Sequence, residues 1–300
     1  MLDQNLLPAC AGGVMPNDPD LLIIRWLGTA NIELSYRGQI ILLNAFIDRG
    51  PRHFPIGIVS EQISRLNAIF LGHGHYDHMS DAATIAMRTG CSVFAPPFAY
   101  EKILSQGVQQ NQVRLVADGD VYSFNGFMVQ AILARHCDFP SYISKIRDAF
   151  NSAISVTAEI AALEKSVMSK GILDPGIITH GTFAYLLTFG SGYRIIIRDS
   201  AGPITDSERA LMDQIVRTDV AIVSYQAQVF ANKQIPETLP IVKLYNPKTY
   251  MPIHHDALPP IALDMGVGPL FMAIREELPA TESLFPLYLE PCYFNVTAIS

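Results

Sequence analysis

The sequence has few cysteines and lacks long apolar or basic runs. Its 300 residues include four cysteines, none of them in the Cys-x-x-Cys spacing of a zinc knuckle or a redox pair: Cys10, Cys91, Cys137 and Cys292. No apolar stretch approaches the roughly 20 residues of a transmembrane helix. No run of Lys or Arg could follow a phosphate backbone, and the net charge is -7. We therefore expect a soluble globular protein that binds no nucleic acid.

Two of the cysteines lie near opposite ends of the chain. Because chain termini often lie close together at a domain surface, a disulfide between Cys10 and Cys292 is one alternative, but two free thiols are favoured because free buried cysteines are common. Residues 7–10 are similar to a lipoprotein cleavage site, but the residues before them are too few and include Asp3. The predicted compartment is therefore either the cytoplasm or an exported location with the leader absent.

The order of apolar runs predicts an α/β protein. After an irregular arm over residues 1–20, three β-rich runs predict consecutive antiparallel strands: Leu21–Trp26, Ile32–Tyr36 and Gln39–Leu43. Residues 58–65 have helical spacing, residues 68–71 predict a short buried strand, and Ser80 is expected to cap a helix that ends near Arg88. The alternation of strands and helices continues to residue 253, which predicts two similar halves packed face to face.

A helical pattern interrupts the strands between residues 140 and 171. Apolar residues recur there at intervals of three or four, the spacing of one or two amphipathic helices. We interpret this segment as an insertion within a single domain over residues 21–300. Because it directly follows His136, it is expected to form a cap over a substrate channel or the surface of a homodimer.

The most informative motif is a cluster of metal-type ligands at residues 73–78. The run His73-Gly74-His75-Tyr76-Asp77-His78 follows directly on the predicted strand at 68–71. Imidazole nitrogens and carboxylate oxygens suit Zn²⁺ and its first-row neighbours, and four such donors in one loop reach a common centre most simply around a cation. The end of a strand that precedes a helix is also where open α/β sheets usually place their active sites.

Three later predicted strands end in the same kind of residue. His136 follows the strand at 127–133, Asp199 follows the strand at 193–197, and the pair His254-His255 follows the strand at 249–253. Adjacent strand residues point to opposite sides, so only one histidine of that pair can face inward. By the same alternation, Cys137 should face away from the site as an inert thiol. No Ser-His-Asp arrangement, glycine-rich phosphate loop or nucleotide fingerprint competes with this site.

These motifs together resemble the metallo-β-lactamase superfamily over roughly residues 21–295. The His-x-His-x-Asp-His element is the most diagnostic motif of that family. The run at 26–30, Trp-Leu-Gly-Thr-Ala, resembles the branch that contains lactonases and phospholipase-D-like enzymes, and residues 251–254 resemble its final ligand strand. The resemblance implies an αββα sandwich of two mixed β-sheets flanked by helices, and a zinc-dependent hydrolase.

The resemblance also implies the ligand sets. One zinc ion would be bound by His73, His75 and His136, and a second by Asp77, His78 and His254, with Asp199 and a hydroxide between them. Among these, His75, Asp77 and Asp199 would be the catalytic residues. Two zinc ions are expected, one is the alternative, and the ligands do not exclude Mn or Fe. His180 and His255 are expected to contact the substrate or support the ligands, and His53 has no assigned role.

The chain departs from the family pattern at two positions. Asn44 stands where relatives usually have an Asp that supports the ligand loop, and an amide replaces the acceptor but not the charge of that Asp. Arg198 precedes Asp199 where relatives usually have Gly, which places a cation beside the expected bridge. Either change would weaken the second metal position, which keeps a site with a single zinc ion as the alternative to the expected two.

The predicted substrate is a small organic molecule: a lactone, amide, ester or phosphodiester. Only Arg52, Arg135 and Arg198 carry positive charge near the predicted ligand loops, which favours a neutral or weakly anionic substrate. Aromatic loop residues are expected to line a hydrophobic pocket: Phe46, Phe54, Phe98, Phe139 and Tyr142. Two alternatives stay open, a di-iron oxidoreductase of the same fold and a metal-binding protein with a decayed site.

Overall fold

Two seven-stranded β-sheets form the centre of the structure, a computed structural model that describes residues 6–138, 156–172, 181–225, 231–258, 261–262 and 264–297. The first sheet contains β1 (Leu21–Trp26), β2 (Ile32–Tyr36), β3 (Gln39–Leu43), β4 (Ala68–Phe70), β5 (Ser92–Ala95), β6 (Val113–Leu115) and β16 (Pro291–Asn295). Its order is β16-β1-β2-β3-β4-β5-β6. The pairs from β16 to β3 are antiparallel and those from β3 to β6 are parallel.

The second sheet repeats this division into antiparallel and parallel pairs. It contains β7 (Val121–Phe124), β8 (Phe127–Ala134), β9 (Thr182–Phe189), β10 (Arg194–Arg198), β11 (Val220–Ser224), β12 (Thr249–Ile253) and β15 (Glu282–Ser283). Its order is β15-β12-β11-β10-β9-β8-β7, antiparallel from β7 to β10 and parallel from β10 to β15. A separate hairpin joins β13 (Ala257–Leu258) to β14 (Ile261–Ala262).

Helices cover the outer faces of both sheets. The described helices are α1 (Tyr76–Met79), α2 (Ala82–Thr89), α3 (Pro97–Ser105), α4 (Ala158–Ser169), α5 (Asp206–Ile215), α6 (Ala231–Tyr245) and α7 (Gly268–Glu277). Short 3-10 turns occur at Ala9–Ala11, Ser60–Gln62 and Gln110–Gln112. Within the described ranges, none of the helices has the length and apolarity of a bilayer span.

The alternation of side chains along the strands explains the layers. In β2, Ile32 and Leu34 face the core between the sheets, while Glu33 points to the other face of the first sheet. A second apolar cluster packs α2 and α3 on that outer face, and a third packs α5, α6 and α7 on the outer face of the second sheet. The resulting αββα sandwich confirms the fold that the sequence predicted.

A buried ion pair connects the N-terminal arm to the first sheet. Arg25 Nη1 lies 3.2 Å from Glu33 Oε1, and the backbone amides of Ala9 and Cys10 donate to the Glu33 carboxylate at 3.0 and 2.7 Å. Cys10 therefore packs on the helix-covered face of the sheet. Cys292 contacts the core on the opposite face, and both thiols are free, as the sequence favoured over a disulfide.

Two local predictions in the first half of the chain are wrong. The stretch 58–65 forms only a 3-10 turn at Ser60–Gln62, because the amides of Ser64 and Arg65 donate to the Cys10 carbonyl instead of continuing a helix. Ser80 does not cap α2. It ends α1 as its C-cap, and α2 begins after Asp81.

An aromatic stack in the core gives a direct test of this packing. Phe70 is fully buried and stacks on Phe94 with ring centroids 4.3 Å apart. We expect Phe70→Ala to lower the free energy of unfolding by about 3–5 kcal/mol, because it removes a large ring and leaves a cavity. Urea unfolding measures this, with Met272→Ala on exposed α7 as a control that should change stability by less than about 0.5 kcal/mol. A loss below about 1 kcal/mol for Phe70→Ala would contradict the packing.

Candidate metal centre

Four strand ends from the two sheets meet at one edge of the sandwich. In the first sheet, β4 leads into the ligand loop and α1. In the second sheet, β8, β10 and β12 run in the same direction and lead to His136, Asp199 and His254. Because the carboxyl ends of these strands lie at one edge, their terminal side chains converge without long loops.

The seven predicted ligands lie close together. Their donor atoms form three overlapping groups, in each of which all atoms lie within 4.8 Å of one another: His73, His75 and His136; His73, His78 and Asp199; and Asp77, His78 and His254. Only His75 is partly exposed, and the other six residues are buried. The first and third groups correspond to the two ligand sets that the resemblance implied.

Short contacts orient the individual rings. His73 Nε2 lies 3.1 Å from His75 Nδ1, and His254 Nε2 lies 3.2 Å from Asp77 Oδ2. His136 Nδ1 donates to the backbone carbonyl of Cys137 at 2.7 Å. A backbone acceptor of this kind fixes the tautomer of a ligand histidine, so Nε2 is the nitrogen of His136 whose lone pair remains available.

Asp199 lies between the two ligand sets. Its Oδ2 is 3.1 Å from His73 Nδ1 and 3.0 Å from His78 Nδ1. Asn44 Nδ2 donates to the same oxygen at 3.1 Å, while Asn44 Oδ1 accepts from the amide of Gly72 at 2.9 Å. The other oxygen, Oδ1, is buried without a hydrogen-bond partner among the described residues. Asn44 thus connects the ligand loop to Asp199, which retains one oxygen for a cation.

Gly72 makes this close approach of the two sheets feasible. A Cβ atom at position 72 would lie only 2.0 Å from Asp199 Oδ2. Any side chain there would push the carboxylate away from His73 and His78. The sequence analysis did not identify this residue, because its only signal was its place one residue before the motif.

The protonation states suit metal binding. Burial, reinforced by neighbouring histidines, lowers the pKa of His73 to about 3 and that of His75 to about 2, and burial also lowers the pKa of His136. Burial alone would raise the pKa of Asp77 and Asp199, but the adjacent histidines hold both below the usual range. At neutral pH these three histidines are therefore neutral and the two carboxylates ionised, which is the state that ligates metals.

The cation next to Asp199 has partners of its own. Arg198 is fully buried, its Nε lies 2.8 Å from Glu208 Oε1, and its guanidinium donates to the carbonyls of Gly202 and Pro203. Adjacent strand residues point to opposite faces, so this charge faces away from the ligand cluster. The structure therefore gives no support to the expected weakening of the bridge by Arg198.

Two further histidines are buried beside the cluster, and a third, His180, lies outside the described residues. His255 belongs to none of the three donor groups. Its ring packs 4.6 Å from Trp26 and 5.1 Å from Phe285. His53, which received no role from the sequence, is 9% exposed, and its ring lies 5.3 Å from Phe46. Neither ring nitrogen of His53 has a hydrogen-bond partner within the described part of the chain.

One wall beside the ligand loop is formed by α4 and the residues that follow it. The amide of Ile172 donates to the Gly74 carbonyl at 2.8 Å, and Arg52 pairs with Glu164 of α4 through contacts of 2.5 and 2.6 Å. These contacts place the end of the predicted insertion against the cluster. Residues 139–155 and 173–180 lie outside the described part, and the cap and dimer surface stay predictions.

The donor set fits a first-row divalent cation. Five imidazoles and two carboxylates converge at one edge, and a buried carboxylate oxygen of Asp199 is left without a hydrogen bond from any described residue. Nitrogen and oxygen donors in this proportion suit zinc, manganese or iron and do not by themselves distinguish these metals.

Comparison with known proteins agrees with this geometry. A family model described as a β-lactamase superfamily domain matches residues 39–152. A UPF0173 metal-dependent hydrolase of Bacillus cereus is 23% identical over 242 residues, which cover 80% of this chain and 88% of the relative. One of Methylocella silvestris is 36% identical over 70 residues, which cover 23% of this chain and only 29% of that relative's length.

Solved structures show the same fold at low sequence identity. Igni18, a metallo hydrolase from Ignicoccus hospitalis, has a TM-score of 0.62 at 14% identity, with 91% of this chain and 98% of that chain covered. CmlA, a diiron β-hydroxylase from Streptomyces venezuelae, has a TM-score of 0.57 at 13% identity, with 91% of this chain and 54% of that chain covered. The family match over residues 39–152, the relatives and the shared fold all show similarity to the metallo-β-lactamase superfamily.

The environment of His53 predicts a pH dependence of stability. Burial and the Arg49 charge lower its pKa to about 4, although Asp256 and Asp77 act in the opposite direction. An unfolded histidine has a pKa near 6.5, so between pH 6.5 and 4 the unfolded chain takes up a proton that the folded chain does not. Stability is therefore lost as the pH falls through this window.

We expect His53→Gln to remove this contribution. Between pH 7.5 and pH 4.5, the unfolding free energy of the wild-type protein should fall by roughly 2–3 kcal/mol more than that of the variant. Urea unfolding of both proteins across this range measures the difference. Parallel pH profiles would show that His53 is not buried in a neutral form.

Proposed function

We infer that this protein is a metal-dependent hydrolase that uses one or two divalent cations, in the first place zinc, to cleave a small organic substrate. The convergence of seven ligand-type side chains from four strand ends is the observation that carries this inference. The similarity to relatives named metal-dependent hydrolases and the match to the β-lactamase superfamily model agree with it.

The donor groups assign a role to each ligand. His73, His75 and His136 would hold one cation, Asp77, His78 and His254 a second, and Asp199 lies beside both sets. Bound cations supply Lewis acidity and activate water for attack at a carbonyl or phosphoryl centre at neutral pH. The Asp77 carboxylate would accept a hydrogen bond from a water molecule activated there and orient it. Asn44 holds the Asp199 carboxylate in place through its amide.

The charges around the site favour a neutral or weakly anionic substrate. Three arginines near the cluster are each paired with a carboxylate: Arg49 with Asp256, Arg52 with Glu164, and Arg198 with Glu208. The side chain of Arg135 is exposed to solvent. Recognition of a phosphodiester uses guanidinium donors that are not already engaged. Half-exposed aromatic rings, Phe54 and Phe285, offer apolar surface on the neighbouring loops. We therefore favour a lactone, amide or ester with an apolar substituent over a phosphodiester.

Removal of the metal tests the proposal. We expect the purified protein to contain one or two equivalents of zinc per chain by elemental analysis. A chelator should abolish hydrolysis of a lactone, ester or nitrocefin-type amide and lower Tm, because a ligand that binds only the folded state stabilises it. Zinc, manganese or iron should then be added back separately. Retained iron with oxygen consumption would support the di-iron alternative, and no retained metal would support a decayed site.

Substitution of single ligands is the second test. His75→Ala and Asp77→Asn should each lower kcat/KM by more than about 100-fold, because each removes a donor that positions the cation or the attacking water. Asp213→Asn, on the exposed surface of α5, is the matched control and should keep full activity. Hydrolysis rates and circular dichroism of the three variants separate loss of chemistry from loss of fold. Full activity of Asp77→Asn would refute its assigned role.

A further inference from the structure

We propose that Asp256, which is not in any donor group, is a positioning residue that holds His254 in place for the second cation. The proposal rests on the function inferred above and concerns a network defined by four residues: Thr29, Arg49, Asp256 and Tyr288. This network contacts the backbone at His254 through the Thr29 carbonyl.

The Asp256 carboxylate is buried and accepts hydrogen bonds from three distant parts of the chain. The amide of Thr29 donates to both carboxylate oxygens at 3.0 Å, Arg49 Nη1 donates at 2.8 Å, and the Tyr288 hydroxyl donates at 2.6 Å. A buried carboxylate with this many donors is held in a single orientation. Asp256 thus joins the loop after β1, the loop after β3 and the segment before β16.

The same network holds the backbone of His254. His254 and Thr29 both have left-handed conformations, with φ values of 60° and 48°, which is uncommon for residues other than glycine. The amide of His254 donates to the Thr29 carbonyl at 2.8 Å, while the Thr29 amide donates to Asp256. Each of these conformations costs free energy and persists only where surrounding contacts determine it. The backbone of Thr29, through its amide and its carbonyl, therefore connects Asp256 to His254.

Arg49 strengthens this link from the other side. Its Nη2 donates to Thr29 Oγ1 at 2.9 Å, and its guanidinium lies 5.7 Å from the Tyr288 ring centroid. A Cβ atom at Gly28 would come within 1.9 Å of Nη2, so only glycine at that position admits the arginine. The outcome of these contacts is a His254 ring whose Nε2 lies 3.2 Å from Asp77 Oδ2.

The ion pair between Arg25 and Glu33 provides a matched control. It is also a buried Arg–carboxylate pair whose carboxylate accepts two backbone amides, but it lies on the helix-covered face of the first sheet. Asp256→Asn and Glu33→Gln each remove one buried negative charge with little change in shape. A purely structural role for Asp256 predicts the same consequences for both variants.

Metal titration of the full-length, metal-free protein tests the proposal. Zinc affinity is measured by competition with a chromophoric chelator, and cobalt is used for its absorption spectrum. We expect Asp256→Asn to bind the first equivalent as tightly as wild type and the second about 10- to 100-fold more weakly, with an altered cobalt spectrum. Glu33→Gln should match wild type in both. Tyr288→Phe, which keeps the carboxylate, should show a smaller effect in the same direction.

Each outcome decides for or against the proposal. The proposal is overturned if Asp256→Asn binds both equivalents of zinc as tightly as wild type, or if Glu33→Gln weakens binding equally. It is also overturned if the wild-type protein binds only one equivalent and Asp256→Asn binds that equivalent with unchanged affinity. If Asp256→Asn fails to fold, Tyr288→Phe decides by the same criteria. A wild-type protein that binds metal but hydrolyses no substrate would refute the proposed function and leave this inference intact.

Discussion

The burial of the Asp199 carboxylate between two β-sheets is the constraint on which the site depends. An ionised carboxylate away from water is stable only with several close polar partners, and here they are His73, His78 and Asn44. These partners come from the first sheet, while Asp199 ends a strand of the second. The need of the buried Asp199 carboxylate for polar partners therefore fixes the position of the ligand loop relative to the second sheet. Gly72 provides the space for this approach.

Buried ion pairs also fix the positions of the loops around the cluster. Arg198 with Glu208 supports the turn after Asp199, Arg49 with Asp256 supports the turn that contains His254, and Arg52 with Glu164 ties the loop after β3 to α4. Loss of one partner from a buried pair typically costs about 3–5 kcal/mol, because the other charge is left uncompensated. Since each of these arginines is paired with a carboxylate, the pairs add little net positive charge next to the cluster.

Strong local patterns made much of the fold predictable. The strands β1, β2 and β3 have the bounds that their β-rich runs indicated, and the turn at Arg37 and Gly38 has the positive φ values of a tight hairpin turn. The helix at 58–65 and the Ser80 cap failed because contacts with Cys10 and the preceding turn α1 took the backbone groups involved. Cys10 and Cys292 form no disulfide because they face opposite sides of one sheet. Contacts between residues that are distant in the sequence cannot be predicted from the local spacing of residues.

The sequence by itself indicated a metal site and a resemblance to one superfamily, because four metal-type donors within six residues and three further donors at strand ends form a dense, ordered pattern along the chain. Only the tertiary structure decided how the donors group, that Arg198 faces away from Asp199, and that His53, Arg49 and Asp256 surround the cluster. The physical reason is that hydrogen bonds and charge pairs act through space. Asp256 and Thr29 are separated by 227 residues along the chain and by one hydrogen bond in the fold.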